Sequence, residues 1–257
     1  MKLKINTYSS LTPAEVDLLA RLEYEGKEVY TREGMVSFCG GERNADYLIR
    51  RLLVKNRLRT IVRNVYLFIP MKAPKGKWAA NEYVIAKALA RGANYYVGYS
   101  GVFNSYGFTD QVAQMIHVVN EKYSFMKKIG GTRYKLIKVL PDRIYGGESR
   151  RINDEDVVFA SRERALIDVF DFYDVKKANA ILAGQFGRVN MPLLAAYVAR
   201  YPVQLVRRRM GYFLERLGAA KKLLEKIDAG VKGYSPLYDA VPPKGKADKR
   251  WRVIVNG

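Results

Sequence analysis

The chain has 257 residues, 49% of them hydrophobic, enough for one large domain or two ordinary ones with packed cores, and this argues against a disordered chain. With 45 Lys and Arg against 25 Asp and Glu the net charge is +20, so polyanionic partners are expected: DNA, RNA or an acidic membrane surface. A single cysteine, Cys39, excludes an intrachain disulfide and suits a reducing, cytoplasmic setting. No apolar run approaches a membrane span, and the opening MKLKINTYSS lacks the hydrophobic stretch of a secretory signal.

In chain order, Leu11-Thr12-Pro13-Ala14-Glu15-Val16 is a helix start. Thr12 can cap, Pro13 fits the first helical position, Glu15 completes a capping box, and Leu11 can staple to Val16. Leu18, Leu19 and Leu22 continue an inward face towards a stop near Gly26. A second helix is expected from Thr31 to Phe38, then a turn at Gly40-Gly41 and a third helix from Glu42 to Lys55. There Ala45, Leu48, Ile49, Leu52 and Leu53 recur at helical spacing and must pack inward. Two β-type runs, LRTIV and VYLFIP, follow, joined at Arg63-Asn64. Helix, helix, recognition helix, hairpin is the order of a winged helix-turn-helix. The outward face of the third helix offers Arg43, Asn44, Tyr47, Arg50 and Arg51 to base edges. Arg57, Arg59, Arg63 and the turn residue Asn64 would hold phosphates or enter the minor groove from the wing. From Glu42 to Arg63 there are seven basic and two acidic residues, a balance that suits DNA.

MKAPKGK, residues 71–77, breaks helix and strand patterns and is expected to link a domain over 1–72 to one over 78–257. A helix is expected over 81–91, then a tyrosine- and glycine-rich stretch, YYVGYSGVFNSYGF, with a short helix. Its Tyr95, Tyr96, Tyr99 and Tyr106 suit core packing better than base stacking. Strands are expected over 115–119, 134–139 and 157–159. Ser161 can cap a helix over 162–170, and further helices are expected over 176–182, 191–200 and 206–227. The last six residues, RVIVNG, form a run that can dock as an edge strand. The fold class is therefore α+β: a winged helix-turn-helix followed by a larger mixed α/β domain with late helices. Residues 1–75 carry 14 basic and 8 acidic side chains, so most of the positive excess lies beyond them and a second basic surface is expected. In the last long helix Val206, Met210, Phe213, Leu214 and Leu217 make a buried stripe, which leaves Arg207, Arg208, Lys221 and Lys222 outward, as a second site or a solvated face.

Catalytic chemistry finds little support. His117 is the only histidine and lies in an expected strand, far in sequence from Cys39, so neither a zinc site nor a Cys-His pair is indicated. No phosphate-binding glycine loop is present. Asp154, Glu155 and Asp156 read as a solvated turn in preference to a metal site. Glu163 and Asp168 are five residues apart and do not share a helix face; Glu163 suits the first turn of its helix and an ion pair with Arg162, Arg164 or a more distant arginine. No catalytic residue, metal or cofactor is expected.

Taken in order, the basic wing and tyrosine strand (RLRTIVRNVYLFIP), the helix and YYVGYSGVFNSYGFTDQ block, the strands, the helix start SRERALIDVF and the arginine-rich RRRMGYFLERLG resemble the AbiEi-type antitoxins of type IV toxin-antitoxin systems. The resemblance runs from about Thr12 to Gly218 and departs at Asn64, where the family pattern has glycine; asparagine tolerates the left-handed turn. It implies a repressor that binds duplex DNA upstream of its own gene, and a C-terminal domain that counters a nucleotidyltransferase-like toxin with or without direct contact. The second basic surface could then face that toxin. One recognition helix needs a second half-site for specificity, so two copies on inverted repeats are expected. The alternatives are a nucleic-acid-processing enzyme, a nuclease or transferase, and an RNA-binding protein.

Overall fold

The computed structural model describes residues 11–73, 78, 80–227 and 233–256. The opening MKLKINTYSS lies outside them, as do residues 74–77 of the expected linker. The Thr12 side chain accepts from the Glu15 backbone N–H while the Glu15 carboxylate accepts from the Thr12 N–H, a closed capping box that starts helix α1 (Pro13–Glu25). Gly26, at φ 70°, ends it. Leu11 packs against the core, while Val16 stays half exposed. Strand β1 (Val29–Thr31), absent from the sequence reading, runs into Thr31, whose hydroxyl caps α2 (Arg32–Cys39). Gly40 and Gly41, at φ 70° and 141°, turn the chain into α3 (Glu42–Val54). Strands β2 (Leu58–Val62) and β3 (Val65–Phe68) form the hairpin, with Asn64 at φ 63°, so asparagine serves where glycine would otherwise be needed. The sheet order is β1-β3-β2. Leu18, Leu22, Met35, Ala45, Leu48, Ile49 and Leu52 close the core between the three helices and this sheet.

Ile61, Val62, Val65, Leu67 and Ile69 belong instead to a second, larger core that includes Ile85 and Leu89 of α4 (Glu82–Ala90), itself capped by Asn81. A six-stranded mixed sheet lies in that core. Its strands are β4 (Tyr95–Gly98), β5 (Met115–Asn120), β6 (Phe125–Ile129), β7 (Thr132–Lys138), β8 (Gly147–Ile152) and β9 (Glu155–Ala160), in the order β6-β7-β5-β4-β9-β8. Short α5 (Ser100–Phe103) follows β4, and α4 packs on β4, β5, β7 and β9. The unpredicted β6 and β8 are the two edges, where partly polar sequences such as FMKKI and GESRRI suffice because one side has no strand to match.

Ser161 caps α6 (Arg162–Phe172), which packs with α7 (Val175–Gln185), α8 (Met191–Arg200) and α9 (Gln204–Arg216). The helix expected over 206–227 is broken: Gly218 takes φ 84°, and only short α10 (Lys221–Leu224) follows. The end of the chain also differs from expectation. Strands β10 (Ser235–Pro236), β11 (Lys246–Asp248) and β12 (Val253–Val255) form a small sheet in the order β10-β12-β11, so the terminal run is central and not an edge. The fold is α+β. No helix among the described residues is long and apolar enough to cross a membrane.

Candidate nucleic-acid interface

The inward stripe of α3 fixes which residues point out. With Ala45, Leu48, Ile49 and Leu52 buried, Arg43, Asn44, Tyr47 and Arg50 are exposed. The two acids near them are held by Arg32 of α2, whose guanidinium donates to both Asp46 oxygens at 2.6 and 2.9 Å and to Glu42 at 3.2 Å. The bond from Arg32 holds the Asp46 carboxyl below the usual range, so it stays ionised. Asn44 donates its amide to the Cys39 carbonyl at 2.7 Å and fastens the turn between α2 and α3. Among the described residues Arg43 makes no hydrogen bond or ion pair, and its exposed guanidinium is available to a ligand.

Arg51 has another task. It donates to the fully buried Glu15 at 2.8 Å, and Lys55 donates to the other Glu15 oxygen. Arg51, expected to face base edges, instead turns its guanidinium to Glu15 of α1. Burial by itself would raise the Glu15 carboxyl, but the bonds from Arg51, Lys55 and the Thr12 backbone hold it at about 2. A carboxylate depressed in the fold gives stability that is complete above its unfolded value near 4.5 and is lost as the pH falls through about 4 towards 2. Acid titration followed by circular dichroism should show this loss in the wild type, and Glu15→Gln should flatten it.

On the wing, Arg63 and Asn64 form the tip, and Arg63 and Arg59 are exposed, with Arg59 also donating to Asn56 at 3.0 Å. Arg57 does not belong to this surface. It is buried and donates to the Pro70 carbonyl at 3.1 Å, so it ties the strand to the segment after β3. Its place just before β2, where its backbone N–H donates to the Leu52 carbonyl and its own carbonyl accepts from the Ile69 N–H, is the physical reason.

The second basic surface shrinks in the same way. Arg208 is buried and donates to Ser235 at 3.2 Å; Arg209, also buried, donates to the Pro236 carbonyl and to Asp239. Arg207 is half-buried and donates to the Ala199 carbonyl at 3.2 Å. Arg208 and Arg209 anchor the C-terminal segment, and of the four expected residues only Lys221 and Lys222, on the separate α10, remain exposed.

The acids and the histidine weighed as chemistry have structural partners. Asn153 and Asp154, both at positive φ, turn the β8–β9 hairpin, and Glu155 pairs with Lys87 at 2.7 Å. Glu163 accepts from the Asn190 backbone N–H at 2.8 Å, so the arginine pair expected for it is replaced. Its neighbour Arg164 pairs with buried Asp168. His117, buried in β5 with Nδ1 2.9 Å from the Ser100 hydroxyl, is held at about 4 by burial and then by the charge of Lys135, so the ring is neutral at pH 7. Among the described residues no three His, Cys, Asp or Glu side chains could together hold a metal ion. Tyr96 and Tyr99 are core residues; Tyr106 donates to the Ala160 carbonyl.

The order α1-β1-α2-α3-β2-β3 is a winged helix-turn-helix, here carried on a larger α+β body. The whole chain is similar in fold to the RV2827C protein from Mycobacterium tuberculosis, with 15% identity, a TM-score of 0.64, and coverage of 95% of this chain and 92% of that one. No protein-family model matches the chain, and no curated protein matches it by sequence.

Proposed function

We propose that this chain is a sequence-specific DNA-binding repressor and the antitoxin of a toxin-antitoxin pair, acting on DNA upstream of its own gene and countering a nucleotidyltransferase-like toxin. One observation carries the DNA part: Arg43, Tyr47 and Arg50 project together from α3, while the acids beside them are neutralised by Arg32. Rigid scaffolding of that helix by Glu15, Arg32 and Asn44 leaves the outward groups in fixed positions, which favours readout of base edges. The antitoxin part rests on the motif resemblance and is a separate question.

The test is binding to the native upstream duplex against a scrambled duplex of equal length across a salt series. Preference for the native duplex that persists as salt rises is the expected result; equal affinities with equal slopes would overturn it. Arg43→Ala should cost about 1–3 kcal/mol on the native duplex and relax preference. Arg63→Ala should weaken both duplexes alike and reduce the salt slope by about one. Co-expression with the neighbouring gene product tests the antitoxin part, by rescue of growth.

A further inference from the structure

Arg43, Tyr47, Arg50 and Val54 stand at i, i+4, i+7 and i+11 on α3, one straight outward line in which guanidinium and apolar groups alternate. Val54 is 87% exposed and Tyr47 55% exposed. A single exposed apolar residue is ordinary on a protein surface. Two on one line with two arginines, in the part of the molecule where charge already selects a polyanion, need a ligand that offers apolar groups between hydrogen-bond acceptors. A groove of about 500 Å³ runs beside them, lined by Tyr47, Arg50, Arg51, Val54 and Lys55. Tyr47 is also positioned: the Arg51 guanidinium lies 5.8 Å from its ring centroid, and Arg51 is itself held by Glu15.

The major groove of DNA has the matching chemistry. Guanine presents O6 and N7 to a guanidinium, and thymine presents the 5-methyl group to an apolar side chain. At 1.5 Å per residue the line from Arg43 to Val54 is about 16 Å long, the rise of four to five base pairs. Resting on the DNA-binding function proposed above, we infer that Tyr47 and Val54 are specificity-determining residues that read thymine methyl groups, with Arg43 and Arg50 on guanines of the same half-site. An exposed valine at the end of the helix then has a reason that a phosphate-binding face alone would not give.

Deoxyuridine lacks only the methyl group of thymine and keeps its hydrogen-bonding edge, so it isolates this contact. Affinity is measured for the native upstream duplex, its scrambled counterpart, and the native duplex with every thymine replaced by deoxyuridine. The proteins are wild type, Val54→Ala and the double variant Tyr47→Ala/Val54→Ala; both positions are on the surface, and melting curves confirm that the variants fold. Wild type should lose about fourfold per contacted methyl on the deoxyuridine duplex, which is about 0.8 kcal/mol each. The double variant should bind the thymine and deoxyuridine duplexes alike, with Val54→Ala between. Native preference with no deoxyuridine effect, or with an equal effect in wild type and double variant, would overturn this inference and leave the repressor function standing. No preference of wild type for the native over the scrambled duplex would overturn both.

Discussion

Arg164→Ala is expected to cost about 3–5 kcal/mol, a large share of the ~5–15 kcal/mol by which a folded domain is usually stable. Arg164 is 1% exposed and sits in α6 with its guanidinium 2.9 Å from Asp168 and 2.7 Å from the Tyr96 hydroxyl. Three rings enclose it: Tyr145 at 4.7 Å, Tyr96 at 5.1 Å and Tyr201 at 5.2 Å. Truncation removes the cation that faces a fully buried carboxylate, opens a large hole, and forfeits three stacking contacts. The pair is not thereby a strong net stabiliser, because both charges have left water. Arg164→Met/Asp168→Leu, which keeps volume and removes both charges, should therefore be more stable than Arg164→Ala; a thermal melt below that of the single variant would sink the account. Asp168 adds a pH signature. Burial, against the pull of Arg164, pushes its carboxyl up to about 6, and one of its oxygens accepts no hydrogen bond among the described residues. A carboxyl raised in the fold gives stability that is full below its unfolded value near 3.8 and is lost as the pH rises through about 6. Wild type should thus gain stability between about pH 6 and 4, and Asp168→Asn should remove that gain. The window lies above the one set by Glu15, so the two groups are separable in one titration.

What the sequence shows and hides follows from how local each determinant is. The capping box of Thr12 and Glu15, the Gly40-Gly41 turn and the apolar stripe of α3 involve neighbours within a turn or two, and all are in place. Strand β4 owes its place to pairing with β5, 19 to 25 residues on, and with β9, 62 residues on, in a run whose tyrosines and glycines show no clean alternation. The arginines mislead for a related reason. The sequence sets Arg57 on the wing and Arg208 on an outward helix position, yet their partners, Pro70 after β3 and Ser235 of β10, bring hydrogen-bond acceptors to them in the interior. The break after α9 had a local signal, Gly218, in a run otherwise rich in helix formers. At the candidate interface, the exposed character of Arg43, Tyr47 and Arg50 is legible from spacing, whereas the removal of Arg51 depends on Glu15 from another helix.

Gly211→Ala should destabilise the chain by about 2 kcal/mol or more, although helix propensity alone favours alanine by about 1 kcal/mol. Gly211 lies within α9, and a Cβ placed there would fall 2.1–2.5 Å from three ring atoms of Trp251. That indole is 1% exposed, and its N–H donates to Glu215 at 2.6 Å, so it is fixed from the other end as well. The contact joins α9 to the β11–β12 connection, and buried Arg208 and Arg209 join the same helix to β10 and to Asp239 just after it. An added methyl group must therefore push Trp251 out of its pocket or bend the helix, and overpacking of this kind costs about 1–3 kcal/mol before any loss of the indole's own burial. A shift of the melting temperature on the order of 5–10 °C is expected, with Trp251 emission moving to the red as the ring reaches water. Trp251→Leu in the Gly211→Ala background should recover part of the loss, because leucine leaves room for the methyl group. If Gly211→Ala proved as stable as wild type, the bare helix face would not be needed for the indole. The proposed DNA binding offers the complementary readout: α3 is held in the smaller core with Leu18, Met35 and Leu52, separate from the core that holds Trp251, so at temperatures below the shifted melt Gly211→Ala should bind the upstream duplex as wild type does, while the proposed toxin-countering activity falls if it depends on the C-terminal segment.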